Sequence, residues 1–327
     1  MNEMKNVAVM AGGYSSERVI SVKSAAQVYK WLDPKKYNAY IIDVNREKWF
    51  LASHPEVKVD MNDFSIVFQG EKICFDFAYI IIHGSPGEDG LLQGYFETMG
   101  IPHSTCDTLS GALTFNKYFC KAYLSKFGII TAKSLWLKKG NKYSADEIIN
   151  ELGLPVFVKP NNGGSSFGTS KVKEISSLSN AIEEAFKEDT QVIIEEFISG
   201  REITCGVFKS SSETILFPPT EIITTREFFD YEAKYLPGVT KEITPAEIPP
   251  ELTAECHKIC SEIYDLLNCK GIVRIDFIIK GNVLYFLEIN TVPGMSEFSI
   301  IPQQSQKYGI EVRDLLTKVI ESAIEKI

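Results

Sequence analysis

A predicted hairpin late in the chain carries side chains at spacings that suit metal and phosphate chemistry. Arg274 and Asp276 lie two residues apart on one strand, and Glu288 and Asn290 do so on the next. Because side chains alternate along a strand, each pair shares a face, and the hairpin sets the two pairs side by side. Carboxylate and amide oxygens suit Mg²⁺, and a neighbouring arginine suits developing negative charge. A solvated, salt-bridged hairpin is the alternative, but the residues between these four are almost all apolar, which favours a buried site.

A lysine followed by small residues forms the second chemical group. Lys159 ends an apolar strand, and the loop 161–170 after it is rich in glycine and serine. Small side chains expose backbone N–H groups, which together with a point positive charge can hold a polyphosphate. The P-loop has the opposite order, with its lysine after the glycines. A surface loop with a solvated lysine is the alternative.

A glycine turn near the N-terminus is less specific. Gly12 and Gly13 separate a predicted strand from a helix, where a phosphate could bind the helix N-terminus. The turn lacks the third glycine of a dinucleotide fingerprint. Glu17, in the first helical turn, could simply be an acid favoured by the helix dipole.

Residues 229–235 form a dense group of aromatic and charged side chains within a long loop. Such a loop could close over a charged intermediate and exclude water. An ordinary polar loop is the alternative.

The elements that must position these groups alternate between strand and helix from the start of the chain. Apolar runs at 7–10, 39–44 and 77–82 predict strands buried on both faces of a parallel sheet. A helix is predicted after Glu17, ending at Asp33-Pro34. Its predicted apolar stripe consists of Val22, Ala25, Tyr29 and Leu32. This order of elements predicts an open α/β domain over residues 1–112.

The rest of the chain continues in the same way. The further predicted elements are a helix over 112–127, strands over 155–159 and 192–196, a helix over 252–267, strands over 272–279 and 283–289, and a final helix over 312–327. The stretch 220–250 is weakly patterned and rich in proline. A loop of that length is uncommon in a compact domain unless it serves as a functional lid.

Length and composition exclude several classes of protein. The chain has 327 residues, 44% of them hydrophobic and 24% charged, which predicts two or three globular domains and excludes disorder and rods. A net charge of −9 argues against a broad nucleic-acid-binding face. No apolar run predicts a membrane span or a signal peptide. The seven cysteines are scattered without a Cys-x-x-Cys pair, which predicts a reduced, cytoplasmic protein, and Cys256 and Cys260 favour packing over metal binding.

Taken in order, these motifs resemble the D-alanine–D-alanine ligases of the ATP-grasp family, nearly end to end. The segments that carry the resemblance are 12–17, 83–90, 159–160 with 164–166, 195–202, 231–235, 274–276 and 288–295. The resemblance implies an α/β (α+β) fold with three domains. These are an N-terminal open parallel-sheet domain (1–112), a central ATP-grasp subdomain (113–210) and a C-terminal ATP-grasp subdomain carrying the lid loop and metal site (211–327).

The resemblance also implies an ATP site between the middle and C-terminal domains. Its residues would be Lys117, Lys159, Ser165, Ser166, Glu195, Glu196, Phe197, Ile198 and Glu202. Two Mg²⁺ or Mn²⁺ ions bridging the phosphates would be held by Asp276, Glu288 and Asn290.

For the amino acid substrates, the resemblance implies Glu17 and His83 at the first site and Ser299 and Ile300 at the second. Arg274 and the backbone N–H of Gly294 would stabilise the oxyanion. The implied catalytic residues are Glu17, Ser165, Lys234, Tyr235, Arg274 and Gly294.

The implied activity is ATP-dependent joining of two D-alanine molecules through an acyl phosphate, for peptidoglycan precursors, by a cytoplasmic homodimer. D-alanine–D-lactate ligases are the nearest alternative, but they have phenylalanine at the position of Tyr235, which therefore favours the dipeptide. Another ATP-grasp carboxylate–amine ligase is a second alternative. A nucleotide-binding regulatory protein without turnover is a third, and the intact Arg274, Asp276 and Glu288 argue against it.

Overall fold

A computed structural model describes residues 4–164, 166–224 and 240–325 of the chain. It contains three β-sheets with helices packed against them, which confirms the predicted mixed α/β class. In the described ranges, no helix has both the length and the apolar character needed to cross a membrane.

The first sheet is only partly parallel. Its strands, β1 to β7 in chain order, are Lys5–Gly12, Tyr37–Val44, Trp49–Leu51, His54–Asp60, Ser65–Phe68, Glu71–Cys74 and Phe77–Ile80. The spatial order is β6-β5-β4-β3-β2-β1-β7, and only the pairs β1–β2 and β1–β7 are parallel. The prediction of a parallel sheet is therefore right for three strands. The four antiparallel strands were missed because β3, β5 and β6 have only three or four residues each, and because β4 and β6 are largely exposed, without a continuous apolar run.

Helix α1 (Arg18–Trp31) follows the glycine turn, and its predicted apolar stripe is right for Ala25 and Leu32, which are buried, but wrong for the other two residues. Val22 and Tyr29 are exposed, whereas Ser21 and Ser24 are buried. The hydroxyl of Ser21 donates a hydrogen bond of 2.7 Å to the backbone oxygen of Ile81, which satisfies the serine inside the fold. Buried hydroxyls thus join apolar side chains such as Ala25 and Val28 where this helix meets the sheet.

The helical stretch predicted over 112–127 is two helices. After α2 (Leu91–Met99), the chain forms α3 (Thr108–Phe115) and α4 (Lys117–Ser125). Asn116 separates them in an extended conformation, and its side chain caps α4 by accepting a hydrogen bond from the N–H of Phe119. The break is fixed by a tertiary contact, since Asn116 also forms a β-bridge with Asn162.

The second sheet is antiparallel. Its strands, β8 to β11, are Ser134–Lys138, Val156–Pro160, Ser170–Val172 and Gln191–Glu196, in the spatial order β10-β9-β11-β8. Helices α5 (Ala145–Leu152) and α6 (Leu178–Glu188) cover one face through a shared apolar core. Residues of the opposite parity, such as Phe157 and Lys159, point away from that core.

The third sheet contains the predicted hairpin. Its strands, β12 to β17, are Arg201–Lys209, Thr214–Leu216, Thr220–Thr224, Thr240–Ile243, Ile272–Lys280 and Val283–Asn290. The order is β15-β14-β12-β16-β17, with β13 paired to β12, and all pairs are antiparallel. The weakly patterned stretch 220–250 therefore contributes two strands to this sheet, and the predicted lid segment 229–235 lies outside the described residues.

Helix α7 (Pro250–Leu266) packs on one face of the third sheet. The Sγ atoms of Cys205, Cys256 and Cys260 lie within 4.8 Å of one another in this buried core. Neutral thiols suit the apolar surroundings, whereas three thiolates around a divalent ion would bury net negative charge.

Two helices close the chain, α8 (Ile300–Tyr308) and α9 (Val312–Ile324). Helix α9 returns to the first sheet, where Leu315, Leu316 and Val319 join α1 in covering one sheet face. The opposite face of that sheet packs against α2. The alternating apolar residues of β1 are thereby buried on both sides, as the sequence predicted.

Gln304 fixes α8 to the third sheet. This wholly buried side chain accepts a hydrogen bond of 3.0 Å from the N–H of Gly206. It donates two more, each of 3.0 Å, to the backbone oxygen of Thr204 and the hydroxyl of Thr220. No space remains beside it, because a Cβ on Gly206 would lie 2.7 Å from its Oε1 atom.

Substituting Gln304→Met should lower the free energy of unfolding by about 1–3 kcal/mol, since the buried N–H of Gly206 loses its acceptor. Urea unfolding followed by circular dichroism measures the change. The control Gln306→Met alters an exposed residue of the same helix and should change the value by less than about 0.5 kcal/mol. Equal values for the two variants would contradict the assignment.

Candidate active site

The β16–β17 hairpin brings its four polar residues together as predicted. Arg274 pairs with Asn290 and Asp276 pairs with Glu288 across the two strands. The Nε and Nη2 atoms of Arg274 donate to the two carboxylate oxygens of Asp276, each at 2.9 Å. Thr204, on the neighbouring β12, also donates to Asp276. A register shift directly after Asp276 interrupts the ladder at this point, a feature often found beside active sites.

A cavity of about 510 Å³ lies between the second and third sheets. Its lining includes every described residue that the sequence assigned to nucleotide binding and two of the three assigned to metal. These are Lys117, Lys159, Ser166, Glu195, Glu196, Phe197, Ile198, Glu202, Asp276 and Glu288. Residues separated by more than 170 positions in the sequence therefore share one site.

One end of this cavity is aromatic. The rings of Phe157 and Phe197 lie 5.8 Å apart, and the ammonium of Lys171 lies 3.8 Å from the centre of the Phe197 ring. Glu196 is held by a hydrogen bond of 2.8 Å from the N–H of Lys133. Flat apolar walls with a few fixed polar groups are typical of small-molecule sites.

Lys117 connects the glycine-rich loop to the hairpin. It is the first residue of α4, and its N–H donates to the backbone oxygen of Asn161 at 3.0 Å. Its ammonium donates to the backbone oxygen of Gly163 and lies 3.9 Å from Glu288. The break at Asn116 is what directs this lysine into the cavity rather than along a continuous helix.

Glu195 lies between two lysines. Lys159 donates to its Oε2 atom at 2.6 Å, and Lys121 donates to its Oε1 atom. Burial alone would raise the pKa of Glu195, but the two lysines outweigh burial and hold the pKa at about 2. Lys121 is not among the predicted site residues, although it follows Lys117 by four residues, a spacing that places both on one helix face.

Glu17 and His83 are both buried near the glycine-rich loop. Ser15 donates a hydrogen bond of 2.9 Å to the backbone oxygen of His83, which fixes the turn at 12–17 to the segment 83–90. A Cβ built on Gly164 would lie 2.8 Å from a carboxylate oxygen of Glu17, so a side chain at this position would require that carboxylate to shift. Burial lowers the pKa of His83, which favours a neutral imidazole.

Glu88 is a second buried acid and is not among the predicted site residues, although it lies in the motif 83–90. Its Oε2 atom accepts a hydrogen bond of 2.6 Å from the N–H of Gly84. Burial, followed by the negative charge of Glu17, raises the pKa of Glu88 to about 8. The charges of Lys117 and Glu288 also act on Glu88, which places it between the first predicted substrate site and the hairpin.

The residues predicted for the second substrate follow the hairpin. Ser299 precedes α8, and its hydroxyl accepts a hydrogen bond of 3.0 Å from the N–H of Ser296. A Cβ on Gly294 would lie 3.0 Å from the same hydroxyl. Ile300 is buried at the start of the helix, and Asn290 accepts a hydrogen bond from the N–H of Val292.

Three predicted site residues, Ser165, Lys234 and Tyr235, lie outside the described residues.

Comparisons with known proteins identify the family of this chain. Residues 6–106 match the family model described as D-ala D-ala ligase N-terminus, and residues 123–321 match that described as D-ala D-ala ligase C-terminus. A D-alanine–D-alanine ligase of Azobacteroides pseudotrichonymphae is 51% identical over 98% of this chain and 100% of its own length. The chain belongs to the D-alanine–D-alanine ligase family.

Solved structures of similar proteins agree with this ATP-grasp fold. The VanG D-Ala:D-Ser ligase of Enterococcus faecalis has a TM-score of 0.87 and is 34% identical, covering 98% of this chain and 100% of that one. A D-alanine–D-alanine ligase of Bacillus anthracis, solved with ATP, has a TM-score of 0.80 and is 31% identical, covering 98% of each chain.

The raised pKa of Glu88 predicts a pH dependence of stability for this ligase. An unfolded glutamate releases its proton near its ordinary pKa of 4.5, whereas folded Glu88 keeps its proton up to about pH 8. The unfolded state therefore binds fewer protons between these values, and this residue makes stability fall as pH rises through that window.

The variant Glu88→Gln cannot release a proton and should lose less stability than the unaltered ligase between about pH 5 and pH 8. Thermal unfolding of both proteins across that window measures the difference, and groups that titrate in both cancel. Parallel curves for the two proteins would show that Glu88 does not carry this dependence.

Proposed function

We propose that this ligase joins two D-alanine molecules into D-alanyl-D-alanine, converts ATP to ADP and phosphate, and so supplies a peptidoglycan precursor. The observation that carries the proposal is the cavity between the second and third sheets. It places Lys117 and Lys159 opposite Asp276 and Glu288. Membership of the D-alanine–D-alanine ligase family indicates which reaction this arrangement supports.

The phosphate end of the cavity suits the first chemical step, which is phosphorylation of the first D-alanine. A carboxylate is a poor electrophile, so the first D-alanine receives the γ-phosphoryl group and becomes an acyl phosphate. Phosphoryl transfer depends chiefly on positioning and charge neutralisation. Lys117 and Lys159 supply positive charge there, with Ser165, Ser166 and Lys234 assigned to the same phosphates.

Nucleotide and metal binding divide between the two sheets. The aromatic end, with Phe197, Ile198, Glu195, Glu196 and Glu202, is assigned to adenine and ribose. Asp276, Glu288 and Asn290 offer the oxygen ligands that Mg²⁺ or Mn²⁺ prefers, on strands that place them opposite one another. Two such ions, when bound, would neutralise phosphate charge.

The two amino acids are assigned to separate sets of residues. Glu17 would bind the ammonium of the first D-alanine, with His83 lining that site and Ser165 and Tyr235 linked to Glu17. Ser299 and Ile300 would bind the carboxylate of the second. The attack of its amine creates a tetrahedral oxyanion, which Arg274 and the N–H of Gly294 would stabilise before phosphate leaves.

D-Alanine is the preferred second substrate in this proposal. Tyr235 and the relative that is 51% identical support it. D-Serine is the alternative that a solved structure raises, since a similar protein at 34% identity is a D-Ala:D-Ser ligase. We further propose that the enzyme acts in the cytoplasm as a homodimer, with all seven cysteines as free thiols.

Incubation with Mg-ATP and single amino acids tests the function. Phosphate release should require D-alanine and should not occur with L-alanine. The product should be D-alanyl-D-alanine even when D-serine or D-lactate is also present. Glu288→Ala should abolish release, whereas Glu262→Ala, an exposed change on α7, should not. Phosphate release without any amino acid would indicate a simple ATPase instead.

Arg274→Met should reduce kcat by about 10²–10³, the usual cost of one lost oxyanion donor. Stopped assays give kcat, and titration calorimetry gives the affinity for Mg-ATP separately. If weaker nucleotide binding accounted for the whole loss, Arg274 would not stabilise the oxyanion.

A further inference from the structure

Lys121 has no part in the function proposed above, yet it is one of the most deeply buried charged groups beside the cavity. Its exposed fraction is 3%, as is that of Glu195, its partner. Burying a charge is costly unless a partner compensates it. A lysine at this depth therefore needs a reason beyond solubility.

The charges around Glu195 do not balance. With Lys121 and Lys159 both protonated and Glu195 ionised, the group carries one net positive charge; burial lowers the pKa of Lys121, and the charge of Glu195 opposes that shift. Both carboxylate oxygens are occupied, one by each lysine. Glu195 consequently keeps a strong partner when Lys159 turns toward another anion.

Lys159 also has competing carboxylates. Besides Glu195, the negative charges of Glu288 and Glu202 act on it. Without Lys121, Lys159 would be the sole lysine on Glu195 among the described residues and would be held there. Its ammonium would then be largely neutralised before any phosphate arrived.

We propose that Lys121 is a positioning residue that holds Glu195 and thereby leaves the positive charge of Lys159 available to the phosphates of the nucleotide. This inference rests on the proposed function, in that ATP occupies this cavity. Lys117 and Lys121 lie one turn apart on α4. The same helix therefore supplies Lys117 to the glycine-rich loop and Lys121 to Glu195, the carboxylate that also pairs with Lys159.

Binding measurements without D-alanine test the inference, using Mg-ATP and adenosine as the two probes. Lys121→Met should weaken Mg-ATP binding at least about tenfold while changing adenosine affinity much less, because adenosine has no phosphate. Titration calorimetry measures the affinity for Mg-ATP, and displacement of bound Mg-ATP by adenosine measures the affinity for adenosine. If Lys121 had a purely structural role, Lys121→Met would weaken the binding of both probes by the same factor, and that result would overturn the proposal.

Two rescues sharpen the test. Lys121→Arg keeps the charge and should retain the unaltered ratio of the two affinities. Lys121→Met combined with Glu195→Gln restores the net charge of one and should recover the ratio that the single change lost. Failure of both rescues would overturn the proposal. Lys126→Met removes an exposed charge from the C-terminal end of the same helix and should leave the ratio unchanged.

Glu195→Gln alone covers the case in which Lys121→Met does not fold, as judged by thermal unfolding. It raises the net charge of the group to two and should increase the preference for Mg-ATP over adenosine. An unchanged preference would contradict the role of this charge group. Phosphate release with D-alanine is assayed separately, so loss of the proposed reaction with intact Mg-ATP binding would refute that function and not this inference.

Discussion

The cost of burying charge governs the centre of this ligase. Glu195 is ionised inside the protein because two lysines occupy its two oxygens. Asp276 is buried because Arg274 and Thr204 bond to it. Glu88 meets the same cost by a different route, since burial raises its pKa and favours the neutral acid. Each of these three buried acids is thus compensated by partners or kept neutral, and the sheets and helix α4 must hold those partners at hydrogen-bonding distance.

Local irregularities of the chain provide that positioning. The interruption at Asn116 turns a lysine into the cavity, and the absence of a side chain at Gly164 lets the loop approach Glu17. The register shift after Asp276 interrupts a long hairpin beside its polar pairs. The regular strands of the second and third sheets bury apolar residues on one face. These irregular positions bring the polar side chains of the cavity together on the other side.

The sequence predicted the hairpin well because a period of two and the spacing of Arg274 and Asp276 are local properties. It could not predict the break at Asn116, which depends on a bridge to Asn162, or the burial of Ser21, which depends on a carbonyl 60 residues away. Lys121 and Glu88 do carry local signals, since one follows Lys117 by a helical turn and the other lies in the motif 83–90. Their importance, however, comes from partners in space that no local pattern identifies.

The packing of α9 on the first sheet has a consequence for biosynthesis. The strands of that sheet lie within residues 5–80, but part of its cover, including Leu315 and Val319, lies far later in the chain and is translated long after them. On a ribosome the sheet emerges with apolar surface still open to water. Its core becomes complete only when α9 is released, so a region that is made early is finished late.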